Sequence, residues 1–193
     1  MTISIIISSF LLSLIISNYS QKFFIRKKIF DKINIRSSHK TLATRSGGLA
    51  IYITLTIISV FFYLNQIEIY DYSLLIPLSI IFLVGIYDDI HNVDFKLKFI
   101  FQIIVAKIII DNGFIVDNFH GIFGIFEIHR IIAQLVTIFI IVSIINAINL
   151  IDGIDGLTVS ISLIFIGVYE FFALNNSDFH LLSLLLSSSL IPL

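Results

Sequence analysis

Residues 131–157 read IIAQLVTIFIIVSIINAINLIDGIDGL. The part from Ile131 to Ile151 carries no charged residue. A helix needs about 20 predominantly apolar residues to cross a bilayer, so this stretch predicts a transmembrane span. It ends on Asn146, Asn149, Asp152 and Asp155, one polar residue at every third position. On a helix that spacing draws a single polar stripe leading to one membrane face. Gly153 and Gly156, set between and after the two acids, predict a turn of the backbone there with room for a ligand to come close.

The rest of the chain repeats the pattern. Apolar runs occupy Ile3–Ser17, Gly47–Leu64, Tyr72–Tyr87, Phe99–Ile110, Leu157–Leu174 and Phe179 to the last residue. Hydrophobic residues make up 58% of the 193, charged ones 13%, and the mean hydropathy is +1.04. That much apolar surface exceeds what one globular core can bury, which makes the bilayer the solvent. The expected fold is an all-α polytopic membrane protein of about seven transmembrane helices. The runs at Tyr72–Tyr87 and Phe99–Ile110 are short and must borrow flanking residues. Lys107 in the second of them is expected to snorkel toward the nearer interface, and Pro77 in the first to rely on helical neighbours. Cysteine is absent, which excludes disulfides and thiolate metal sites. The first run lacks a basic leader and a small-residue cleavage motif, so it reads as a retained helix.

Basic residues set the orientation. Lys22, Arg26, Lys27, Lys28, Lys32, Arg36, Lys40 and Arg45 lie between the first two spans, and Lys96 and Lys98 follow the third. Positive loops stay on the cytoplasmic side, so the N-terminus is expected outside, with cytoplasmic loops at 24–46, 88–98 and 152–156. The stretch Asn112–Arg130, with scattered glycines and alternating apolar residues, predicts a short external hairpin between spans four and five. No linker or repeat divides the chain, and residues 1–193 read as a single transmembrane domain.

Three polar motifs thereby reach one face. Asp88 and Asp89 close the third span, where the helix dipole disfavours negative charge and adjacent carboxylates repel each other. A compensating cation is required. Lys96 and Lys98 are candidates, but the favoured one is a hard divalent ion such as Mg²⁺, which suits paired oxygen ligands while also binding substrate phosphates. Delivery of acids from two helices suits metal-assisted phosphoryl chemistry. The loop Arg36-Ser-Ser-His-Lys-Thr-Leu-Ala-Thr-Arg-Ser-Gly-Gly48 supplies cations, hydroxyls and paired glycines before a helix, as a phosphate-binding loop would. It lacks the P-loop pattern, so a diphosphate donor fits better than a nucleoside triphosphatase site.

Together, Arg36-Ser-Ser-His39 to Gly47-Gly48, Gly85 to Asp88-Asp89 with Lys98 and Gln102, and Asn146 to Asp155-Gly-Leu157 resemble the polyprenyl-phosphate N-acetylhexosamine-1-phosphate transferases of the glycosyltransferase family 4 type, related to phospho-MurNAc-pentapeptide transferase. The resemblance implies transfer of a sugar 1-phosphate from a UDP-N-acetylhexosamine to undecaprenyl phosphate, with release of UMP and Mg²⁺ as cofactor. The setting it implies is a bacterial inner membrane, with the site facing the cytoplasm and no nucleic acid as partner. By the same resemblance Asp88, Asp89, Asp152 and Asp155 are catalytic, and Asp88, Asp89 and Asp152 handle the metal. His39, Lys40, Arg45, Lys98 and Asn149 bind substrate. The Arg-Ser-Ser-His form is similar to members that initiate O-antigen-like polysaccharides. Leu42 and Thr44 stand where the family has prolines. The family continues beyond Leu193 into a further aspartate loop and a histidine loop, so the chain is expected to be the N-terminal part of a longer fold, with little activity on its own. The alternatives are an inactive membrane-inserted remnant and a non-enzymatic membrane protein such as a transporter, whose acids would lie at mid-membrane. The Asp-Gly-x-x-Ala-Arg motif of CDP-alcohol phosphotransferases is absent.

Overall fold

The computed structural model describes residues 2–27, 46–91, 93–151, 156–172 and 179–193. Among them are seven α-helices: α1 (Thr2–Lys27), α2 (Gly47–Leu64), α3 (Leu75–His91), α4 (Phe95–Asp111), α5 (Arg130–Ile151), α6 (Leu157–Phe172) and α7 (His180–Leu190). The described residues contain no β-strand beyond one isolated antiparallel bridge. Four segments are long and apolar enough to cross a bilayer: α1, α2, α3 together with the turn that precedes it from Tyr72, and α5. The helices α6 and α7 are shorter and apolar. This is the all-helical polytopic protein that the hydropathy implies.

Helix ends differ from the apolar runs for identifiable reasons. At about 1.5 Å per residue α1 is roughly 39 Å long, more than the ~30 Å hydrocarbon core. Its last turn therefore emerges, and there Arg26 and Lys27 meet the favourable end of the helix dipole. Pro77 falls in the first turn of α3, where its missing N–H has no intrahelical partner to lose. The fourth run is lengthened at both ends, to 17 residues. Asp94 caps α4, its Oδ1 accepting from Lys96 N at 3.3 Å, and so recruits Phe95–Lys98 into the helix. At the far end Lys107 pairs with Asp111 four residues on, a partner in addition to the interface expected for it.

The chain falls into two compact units. The first comprises residues 1–72 and 151–193 and holds α1, α2, α6 and α7. Here the serines scattered through the apolar runs become the packing surface. Ser9 and Ser13 of α1 are fully buried; Ser9 bonds Ser188 of α7, and Ser13 Oγ donates to Ser189 O at 2.6 Å. Small residues let membrane helices approach closely, and their hydroxyls hydrogen-bond across the contact. Between α6 and α7, Glu170 Oε2 meets His180 Nδ1 at 2.6 Å, and Ser183 Oγ donates to Oε1 of the same carboxylate. Behind α2, Tyr70 is buried with its hydroxyl 2.6 Å from Ser59 Oγ, which in turn donates to Leu55 O at 2.7 Å. Burial pushes the Tyr70 phenol up to about 12, against the opposing pull of the Ser59 hydrogen bond.

The second unit, residues 73–150, contains α3, α4, the 112–129 connection and nearly all of α5. The connection is the hairpin read from the sequence: Asn118 bridges Glu127, Phe119 N donates to Phe126 O at 2.8 Å, and Ile128 N donates to Asp117 O at 2.9 Å. Buried side chains in this unit include Val105, Ala106 and Ile110 of α4 and Ala133 and Val142 of α5.

Candidate active site

Asp88 and Asp89 lie in the last turn of α3, and both are half-buried. Asp88 is engaged at both oxygens. Its Oδ1 accepts from Val93 N at 2.9 Å, closing the turn that leads to α4, and its Oδ2 receives Lys98 Nζ at 2.6 Å. Lys98 stands in the first turn of α4, where a positive charge opposes the helix dipole just as Asp88 opposes that of α3. Two charges, each wrongly placed on its own helix, neutralise one another across the α3–α4 turn. Of the two lysines it is Lys98 that meets Asp88; Lys96 is exposed, 6.0 Å from the Phe95 ring centroid. The pair keeps about a quarter of its side-chain surface open, 29% for Lys98 and 23% for Asp88, so a phosphate can reach the ammonium.

One turn further along α4, on the same face, Gln102 is buried. Its Oε1 accepts from Asn146 Nδ2 of α5 at 2.7 Å, and Asn146 Nδ2 also donates to Val142 O at 2.8 Å. The reverse contact, from Gln102 Nε2 to Asn146 Oδ1, is 3.5 Å and contributes little. The face of α4 therefore carries a continuous polar row, joined to α3 by Lys98 and to α5 by Gln102. Asn149 follows Asn146 by three residues in the last turn of α5, exposed and displaced along the helix toward the Lys98 end. Beyond it Gly156 has φ +68, a left-handed conformation natural to glycine, and its carbonyl accepts from Ser160 N at 2.9 Å to open α6. Of the two glycines expected to turn the backbone, Gly156 does so, and Gly153 lies outside the described residues.

The other sequence-derived site residues, His39, Lys40, Arg45, Asp152 and Asp155, lie outside the described residues. Among the described residues no three of His, Asp or Glu gather closely enough to hold a metal ion. The half-buried carboxylates of Asp88 and Asp89 supply hard oxygen donors, the chemistry that Mg²⁺ prefers. Two features escaped sequence reading. The Asp94 cap had a signal, an Asp directly before an apolar run. The Gln102–Asn146 pairing had a weaker one: each is an amide inside a spanning run, where polar side chains seek partners on neighbouring helices.

The model described as glycosyl transferase family 4 matches residues 72–193. That range takes in Asp88, Asp89, Lys98, Gln102, Asn146, Asn149, Asp152 and Asp155, and leaves out the loop with His39, Lys40 and Arg45. No curated protein matches the chain.

Proposed function

The chain belongs to glycosyl transferase family 4, and from that premise we propose that it transfers N-acetylhexosamine 1-phosphate from a UDP-sugar to undecaprenyl phosphate. The observation that carries this reading is the overlap of the family match with the polar row from Asp88 through Lys98 and Gln102 to Asn146. A phosphate oxygen of the lipid attacks the phosphorus that bears the sugar. The P–O bond to the uridine phosphate breaks, UMP leaves with its electron pair, and the product is a lipid-linked diphosphate sugar.

Such a reaction brings several negative oxygens together, so its catalysis is mainly positioning and charge stabilisation. Lys98, held 2.6 Å from Asp88, offers an ammonium that can bridge to an incoming phosphate without leaving its carboxylate. Asp88 and Asp89, with Asp152, would hold Mg²⁺, which neutralises phosphate charge when bound. Asn149 is assigned to the nucleotide side, and His39, Lys40 and Arg45 to the diphosphate. The basic residues after the first span support a cytoplasmic site in a bacterial inner membrane, and initiation of an O-antigen-like envelope polysaccharide is the role this chemistry serves.

The test is transfer of label from UDP-N-acetylhexosamine to undecaprenyl phosphate in membranes containing the protein together with the family's further aspartate and histidine loops. Transfer is expected to require Mg²⁺ and to be abolished by Asp152→Asn. Undiminished transfer by that variant would remove Asp152 from the site.

A further inference from the structure

The hairpin between α4 and α5 lies at the end of α4 away from Lys98, about 25 Å along the 17-residue helix. Its tip is apolar and open. Gly121 N donates to Ile125 O at 2.9 Å around a 3-10 turn at Ile122–Gly124, leaving Ile122 61%, Ile125 44% and Phe126 63% exposed. The tip is a built shape, since a Cβ on Gly121, whose φ is +86, would stand 3.3 Å from Phe126 Cζ. Around it Asp117, His120, Glu127, His129 and Arg130 are all exposed.

The depth of this hairpin follows from one hydrogen bond. Val116 N donates to Thr137 Oγ1 at 2.9 Å. Thr137 is seven residues past Arg130, so Val116 is held about 10 Å inward from the start of α5. The 22 residues of α5 measure about 33 Å, close to the ~30 Å hydrocarbon thickness. The root of the hairpin is therefore at the depth of the spanning helix. Beside that root Ile128 N donates to Asp117 O at 2.9 Å and Asn118 bridges Glu127, three residues before Arg130. The hairpin is thus tied to the first turns of α5, at the end of a helix about as long as the ~30 Å hydrocarbon core is thick. The outer turns of α5 beside its root present Ile131 and Leu135, 64% and 63% exposed, one helical turn apart on one face.

We propose that the 114–129 hairpin is an interfacial anchor, with Ile122, Ile125 and Phe126 inserted among the phospholipid chains just below the headgroups of the leaflet opposite Asp88 and Lys98. Its rim of carboxylates, imidazoles and a guanidinium meets the headgroups, an apolar surface with a polar border suited to that boundary. Because Val116 is bonded to α5, the anchor sets how deeply α5 sits, and with it the height of Asn146 and Asn149 at the other end.

Tryptophan is absent from the chain, so one introduced residue reports without background. Ile122→Trp and Phe126→Trp are each made in the full chain and reconstituted in phosphatidylcholine vesicles brominated either near the headgroup end or deep in the acyl chains. Phe139→Trp, well inside α5, serves as the deep reference. The two hairpin variants are expected to be quenched more by shallow than by deep bromines and to be shielded from aqueous acrylamide, with the order of bromine quenching reversed for Phe139→Trp. Ile122→Trp leaves the Gly121–Phe126 contact in place, so it reports even if Phe126→Trp perturbs the turn. Full acrylamide access without bromine quenching at both positions would put the tip in water and overturn the proposal. Shielding without bromine quenching, lost when discs hold a single copy, would assign the surface to a second copy of the chain and overturn it equally.

Discussion

The amide pair joining α4 to α5 lends itself to a quantitative test. In Gln102→Leu the Asn146 Nδ2 loses its acceptor at 2.7 Å but keeps Val142 O at 2.8 Å; in Asn146→Leu the buried Gln102 carboxamide loses its partner on α5. A buried polar group stripped of its partner costs about 1–3 kcal/mol. With one good hydrogen bond and one at 3.5 Å, the lower half of that range applies, and each single substitution is expected to destabilise by roughly 1–2 kcal/mol. The double variant leaves neither amide stranded, so it should fall short of the sum by about 1 kcal/mol, within the range measured for interhelical pairs in membrane proteins. Reversible unfolding in mixed micelles, run as a double-mutant cycle, reads this coupling directly. A coupling within about 0.3 kcal/mol of zero would mean that the two amides act independently. The picture of a polar row fastened at both neighbours would then be wrong.

Lys98→Met should destabilise by about 1–3 kcal/mol, between the values for exposed and fully buried pairs. Adding Asp88→Asn should recover part of that stability while transfer stays lost in both, as paired melting and transfer assays would show. Tyr70 titrates late because burial favours its neutral form in the fold. Its contribution to stability is complete below pH 10 and is lost as pH rises from 10, where the unfolded phenol ionises, to about 12. The phenolate absorbance of the protein minus that of Tyr70→Phe should accordingly show no signal from this residue until near pH 12, and a step near pH 10 would contradict its burial. Ser13→Ala should cost about 1 kcal/mol through the lost bond to Ser189 O. Ser13→Leu should cost more, about 1–3 kcal/mol, because overpacking forces α1 from α7; equal melting of the two variants would deny the close approach.

Much of the architecture is legible in the sequence. Hydropathy alone marks the spans, since every residue exposed to lipid must be apolar and every backbone group must bond internally. The hairpin was readable from the glycines of Asn112–Arg130. The ends of α3 and α4 were less so: window hydropathy counts Asp88, Asp94, Lys96 and Lys98 as interruptions, whereas in the fold Asp94 caps α4 and Asp88 and Lys98 neutralise each other inside the helices. Serines that look indifferent in sequence turned out to line the contact between α1 and α7.

The solvent of this protein, its helical class and the identity of the acids that resemblance to a transferase family singles out can all be read along the chain. These depend on composition, period and local motif. The partner of each polar group is instead a matter of packing: Lys98 rather than Lys96 for Asp88, Asn146 for Gln102, Ser189 for Ser13, Thr137 for Val116. Those pairings depend on the rotation and height of one helix against another. A shift of a single residue turns a helical side chain by about 100°, so the same sequence pattern is compatible with many partner sets until packing selects one.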